Sequence, residues 1–308
     1  KQIEEMVDEK LQILLCYEGY CFAKDNRENL HRLMAEFPFM EVWWRGFDPD
    51  ASKGETRQIW HDEGVRKGSP INIISRATEG QWKGGVKKGK TIGQAACVPY
   101  IRNEKVLFFD ANAAMRIEDV MRLINGLSEF KQDPLLKLVL FGEYICLSPD
   151  YSWVAEGVSF GEEVWVTVTQ RTLNMFGASG YYGHSAIMDM EALRVSAGMM
   201  HDYVSEDLML AVMSWIQGYH TTHKEYLLLG KGRETGFHSA LVPMGKWSQG
   251  SGEMILGRWV GRTLASEKVH IGQKMMLIFA LSHYTKKPFV PVVLFLYQRQ
   301  ASYRPSGQ

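Results

Sequence analysis

Charge of one sign is missing from this sequence. Lys+Arg and Asp+Glu both number 35 in 308 residues, so the formal charges cancel. That balance removes any global attraction to nucleic acid, and contact with a polyanion has to come from a local basic cluster. Cysteine is scarce. The four (Cys16, Cys21, Cys97 and Cys146) form neither a C-x-x-C pair nor a disulfide framework, which suits a reducing compartment. A run of about 20 apolar residues, the length a membrane-spanning helix needs, is also lacking. The nearest approach, Phe289 to Tyr297, holds Pro291 and reads as a buried strand or short core helix. Lys1 to Lys10 is charged and helix-like, unlike a signal or transit peptide. There is no internal repeat and no low-complexity tract.

What remains is ordinary globular material, 45% hydrophobic and 23% charged, arranged in three zones. Up to about residue 75, Leu11 to Cys16 and Ile71 to Ser75 are strand candidates. Asn29 to Phe37 has helical spacing, and Gly46 to Gly54 reads as a loop. In the second zone Val106-Leu107-Phe108-Phe109 is expected to be a buried strand ending on Asp110. A helix from about Ile117 to Phe130 should bury Val120, Leu123, Ile124 and Leu127. Pro134 stops it before an apolar strand, Leu135 to Phe141. From about Val164, a helix follows Ser205-Glu206-Asp207, and Glu225 to Leu229 is a strand. Gly230 to Gly236 and Gly245 to Gly252 read as glycine-rich loops. The alternation argues for a layered α/β domain.

Four constellations carry chemistry. Lys83 to Lys90 packs four lysines among three glycines, either a cationic loop for a phosphate-bearing ligand or a solvated surface loop. It is read as distinct from a Walker A motif. Asp110 at a strand's carboxyl end is either a ligand-facing acid or a turn residue. Glu206 and Asp207 suit the positive end of a helix capped by Ser205, and equally suit a general base with a tuning neighbour. Gly230-Lys231-Gly232-Arg233-Glu234 again sets cations between glycines. Lys246 and Arg258 extend that chemistry, and Trp259 offers an indole for a sugar ring or for the core. His184, His201, His220 and His223 match no zinc spacing.

The order of these pieces is more specific than any one of them. Gly89-Lys90, Phe109-Asp110-Ala111-Asn112, Leu127-Ser128-Glu129-Phe130 and Glu143-Tyr144-Ile145 come first. Gln170-Arg171-Thr172-Leu173, Tyr182-Gly183-His184, Ser205-Glu206-Asp207 and His223-Lys224-Glu225-Tyr226 follow. Gly230 to Glu234, Ser251-Gly252-Glu253 and Leu256-Gly257-Arg258 close the series. Over about residues 85 to 260 this resembles the 1,3-β-glucan (callose) synthase family, glycosyltransferase family 48.

The resemblance implies a GT-A-like glycosyltransferase domain with a mixed central sheet flanked by helices. It implies one catalytic domain over residues 1–308, a fragment of a multi-pass membrane protein at the cytosolic face of the plasma membrane. Residues 275–297 would lead towards a transmembrane block. Such enzymes extend a 1,3-β-glucan from UDP-glucose with inversion, and use of a divalent cation such as Mg is left open. The implied partners are UDP-glucose, a β-glucan acceptor, the transmembrane portion and a Rho-type small GTPase. By position Asp207 and Glu206 resemble the family's catalytic acids, and Lys90 and Lys246 its active-site lysines. Asp110 would lie on the donor side. Lys231, Arg233, Arg258 and Trp259, read from their own chemistry rather than from the resemblance, are expected to complete the substrate-binding set. The chain departs from the family where only Arg194 remains of an Arg-Gly-Gly segment. Other departures are Ser185-Ala186 for Pro-Asp, Gly142 for an arginine and Met254 for a glutamine. These mark a divergent member. The alternatives are a transferase making another linkage and a nucleotide-sugar-binding domain without activity.

Overall fold

In a computed structural model of the chain, described residues are 12–17, 24–37, 41–48, 59–66, 69–71, 98, 101–110, 113–146, 153–200, 205–232 and 237–286. They fall into two compact units, Lys1–Glu104 and Lys105–Gln308. The first holds a four-stranded sheet in the order β1-β2-β3-β4, with β1 Leu14–Tyr17, β2 Glu41–Asp48, β3 Ile59–Arg66 and β4 Ser69–Ile71. Helix α1, Lys24–Glu36, lies between the first two strands in sequence. The expected loop at Gly46 begins three residues too early, because Gly46–Asp48 pair with Ile59–His61 and extend β2. Of the candidate strand Ile71 to Ser75, only Ile71 lies among the described residues, at the end of β4.

The second unit is built on a five-stranded mixed sheet, β5-β8-β7-β9-β6. Its strands are β5 Lys105–Leu107, β6 Ala113–Ala114, β7 Leu136–Cys146, β8 Ala186–Asp189 and β9 His220–Gly232. β7 runs parallel to β9 and antiparallel to β8. Leu138 to Phe141 are wholly buried in succession, so both faces of the central strand are covered. One core cluster joins Leu136, Val139 and Phe141 to Ile187, Leu227 and Leu229. This is the α/β architecture expected, with helices flanking a mixed sheet. The strand at Val106 is the exception: β5 is a short edge strand, half-buried, and Phe109 is exposed.

Helix α2, Ile117–Gln132, packs on the sheet through Leu123 and Phe130. The buried face of this helix differs from the one its periodicity predicts. Val120, Ile124 and Leu127 are exposed, whereas Asp119 and Gly126 are buried. Gly126 sets this rotation: a methyl group there would sit 2.7 Å from Ile187 Cδ1 and 3.1 Å from Leu227 Cδ1, so the helix lies down on its smallest residue. Buried Asp119 receives Arg116 Nε at 2.8 Å and Arg122 Nη1 at 3.3 Å.

Helix α3, Trp153–Val164, continues through a π-helical turn, Trp165–Thr169, into α4, Gln170–Asn174. After β8 come α5, Met190–Met200, and α6, Glu206–Ile216, whose residues Leu208 to Trp215 are all buried. Helices α7 Phe237–Leu256, α8 Arg258–Ala265 and α9 Ile271–Lys286 complete the unit. Gly245 to Gly252 is therefore helix, not loop. Gly250 lies directly against the start of α6, where a methyl group would fall 2.0 Å from Ser205 Oγ. That close approach needs a glycine and outweighs its poor helix propensity. Among the described residues no helix is long and apolar enough to cross a membrane. Phe289 to Tyr297 lies outside them.

Candidate active site

Ser205 occupies the N-cap of α6, but its side chain makes no capping bond. Asp207 takes part of that role, accepting the Leu208 N–H on Oδ1 at 2.7 Å. Glu206 and Asp207 thus stand in the first turn, where the helix dipole favours anions. A cleft beside them is lined by Trp165, Gln170, Gly180, Tyr181, Tyr182, Ser205, Asp207, Leu208, Trp247, Met276 and Ala280. Buried Tyr181 ties the expected acids together. Burial, then the carboxylates of Asp207, Glu206 and Asp110, raise its phenol well above the ordinary range. The three acids thus share one electrostatic neighbourhood although almost 100 residues separate Asp110 from Asp207.

Asp110 is held by a network that sequence reasoning did not assemble. Its Oδ2 lies 3.9 Å from Nε2 of buried His184, and the other ring nitrogen contacts Glu143. Ser185 donates from Oγ to Glu143 Oε1 at 2.7 Å and holds a left-handed backbone, φ 55°. Glu143 is only 3% exposed. It follows the register shift between Phe141 and Gly142, an irregularity of the kind that re-aims side chains. Tyr182 donates to the Phe141 carbonyl at 2.5 Å and closes this wall. The available signal was an acid set in an otherwise apolar strand; its partner could not be read, because strand pairing supplies it.

The other expected residues are placed as follows. Lys246 is exposed on α7, one residue before Trp247 of the cleft. Arg258 opens α8, its guanidinium 5.0 Å from the centre of the Trp259 ring, and Arg262 lies at the same distance. Trp259 itself is 4% exposed, so the indole is packed rather than offered to a sugar. Lys231 sits on β9 opposite Ala113, its side chain outside the described set. Lys90 and Arg233 also lie outside it. The segment around Lys90 needs a correction from the sequence itself. Gly84, Gly89, Lys90 and Thr91 do satisfy the G-x4-G-K-T spacing of a phosphate loop. The strand-to-helix context that would confirm such a loop falls outside the described residues.

Among the described residues no group of three or more His, Cys, Asp or Glu could hold a metal ion. Asp110 faces the His184 imidazole, and no chemical step below passes through a cation.

A family model described as 1,3-beta-glucan synthase component matches residues 1–286. The chain is 24% identical over 321 residues to the 1,3-beta-glucan synthase component FKS1 of Aspergillus niger, covering 94% of this chain and 16% of that protein. It is 23% identical over 291 residues to the component bgs1 of Schizosaccharomyces pombe, covering 84% and 16%. Against putative callose synthase 6 of Arabidopsis thaliana the identity is 26% over 244 residues, covering 76% and 13%. The chain thus spans about a sixth of the length of the fungal relatives. Among solved structures, a mannosyltransferase from Pyrobaculum calidifontis in complex with GDP-Man and Mn2+ aligns with TM-score 0.45 and 13% identity, over 92% of this chain and 69% of that one. At that distance the likeness carries no argument.

Proposed function

This chain belongs to the 1,3-beta-glucan synthase component family, and from that premise we propose that it is the glycosyltransferase domain of a larger membrane protein, adding glucose from UDP-glucose to the 3-hydroxyl of a growing β-glucan. The observation that supports this most is that Asp207 lines one cleft with Tyr181, whose buried phenol also feels the charges of Glu206 and Asp110.

In this reading Asp207 is the general base, and Glu206 supports its charge and position. Its carboxylate takes the proton of the acceptor 3-hydroxyl as that oxygen bonds to C1 of the donor glucose. The bond from C1 to the β-phosphate oxygen breaks, and its electron pair leaves on UDP. The products are a chain one glucose longer, UDP and one proton, with the donor's α configuration inverted. A positioned base contributes about 10² to 10⁴-fold. Lys246, with Lys231 and Arg233, would neutralise the diphosphate as charge grows on it. Such contacts raise turnover as well as affinity. Arg258 extends this cationic set, and Asp110, steadied by His184, would face the ribose. The site would work at the cytosolic membrane face, the remaining chain exporting polymer.

The test measures UDP release from UDP-glucose by the full-length protein and digests the product with a 1,3-β-specific glucanase. Asp207→Asn should lose about 10²-fold or more of polymer formation and keep UDP-glucose binding. Wild-type turnover in that variant would remove Asp207 from the base role. A glucose polymer resistant to the glucanase would point to another linkage.

A further inference from the structure

The proposed chemistry needs an acceptor held with its hydroxyl towards Asp207, and no residue above does that. Gln170 is placed to do it. It follows the π-helical turn at Trp165–Thr169, a local widening that is frequent at functional sites. There the side chain is wholly buried. Its Oε1 accepts the Gly180 N–H at 3.0 Å, which fixes the amide plane. The other end, Nε2, is buried without a hydrogen-bond partner among the described residues. Native proteins leave few buried donors unpaired, and each such case asks for an explanation. Here the residue lines the same cleft as Asp207.

The rest of the cleft says which ligand would satisfy that donor. Trp247 and Tyr181 contribute aromatic surface, Asp207 a carboxylate, and none of the lining residues is cationic. A diphosphate would find no counter-charge on this wall. A sugar hydroxyl matches the wall better in its chemistry, since its oxygen accepts from an amide N–H while the C–H face of the ring suits an indole. Gly180 keeps the wall tight, because a methyl group there would fall 2.0 Å from Met276 Cε.

We propose that Gln170, with Trp247, forms the acceptor subsite: Nε2 donates to an oxygen of the terminal glucose of the β-glucan chain and turns its 3-hydroxyl to Asp207. This rests on the transferase reading above.

The experiment uses the full-length protein, with 1,3-β-glucohexaose as acceptor probe and UDP and UDP-glucose as donor probes. The hexaose should bind the wild type by calorimetry. Gln170→Met should weaken that binding roughly tenfold, the scale of one lost hydrogen bond to a buried donor, and leave UDP affinity unchanged. In turnover, the KM for hexaose should rise by a similar factor while the KM for UDP-glucose stays constant. Trp247→Leu, on a different helix, should act in the same direction. The subsite is overturned if hexaose does not bind the wild type. It is equally overturned if both variants bind hexaose normally, or if Gln170→Met lowers kcat and UDP affinity with the hexaose KM unmoved. Absence of UDP-glucose turnover alongside Gln170-dependent hexaose binding would refute the donor assignment and leave the subsite standing.

Discussion

Two glycines on one helix should answer mutation with opposite signs. Gly250 and Gly252 both lie inside α7, and alanine at either position gains about 1 kcal/mol of helix propensity. At Gly252 the added methyl group meets nothing within 4 Å, so Gly252→Ala should stabilise by about that amount. At Gly250 the same group would stand 2.0 Å from Ser205 Oγ, 2.7 Å from its Cβ and 2.9 Å from its backbone nitrogen. A rotamer change relieves the first contact but not the last, so backbone has to move. Overpacking of this kind costs about 1–3 kcal/mol, and since the propensity gain is common to both variants, their difference reports that cost. Thermal unfolding of the purified protein reads it as about 2–4 °C per kcal/mol. Function should follow, because the residue displaced adjoins Glu206 and Asp207. Gly250→Ala should lose turnover and Gly252→Ala should keep it. Equal melting shifts and equal turnover in the two variants would refute the packing of α7 on the start of α6.

Three further outcomes are expected. Lys246→Ala should weaken UDP binding itself, and unchanged UDP affinity by calorimetry would remove that lysine from the diphosphate. Burial, then the charge of Arg171, lowers His223 to about 4 from an ordinary 6.5. The folded state thus keeps this imidazole neutral while the unfolded chain protonates, so its contribution is full above about pH 6.5 and is lost as pH falls towards 4. His223→Phe should flatten the denaturation profile in that window, and an unchanged pH slope would refute it. Glu143→Ala strands the buried His184 and Ser185 and should cost about 3–5 kcal/mol by denaturant unfolding, whereas a loss under 1 kcal/mol would mean the network is not formed.

What the sequence discloses is what neighbouring residues decide. The start of α6 could be read from Ser205-Glu206-Asp207 because helix-initiating signals are local, and β7 because Leu138 to Phe141 are apolar in succession. The side of α2 that faces the sheet could not. It depends on Gly126 meeting Ile187 and Leu227, residues 61 and 101 positions away, and periodicity alone favours the larger side chains. The same holds for α7, whose glycines look like a loop until Ser205 is placed beside them. In the candidate site, each acid could be picked out singly. Their convergence on Tyr181, and the hold of His184 and Glu143 on Asp110, arise from strand register, which no short motif encodes.

The parallel pairing of β7 with β9 also has a kinetic consequence. The two strands begin side by side, and His220 bonds Asp133, 87 positions earlier in the chain. At roughly 5–20 residues per second of synthesis, β7 leaves the ribosome about 4 to 17 s before the strand that completes it. During that interval Leu138 to Phe141, wholly buried in the finished unit, has at least one of its two neighbours still unmade. Non-local pairing of this kind is slow to form and prone to aggregation until it closes. Substitutions that slow translation between β8 and β9 should therefore lower yield without altering the melting behaviour of the protein that does fold.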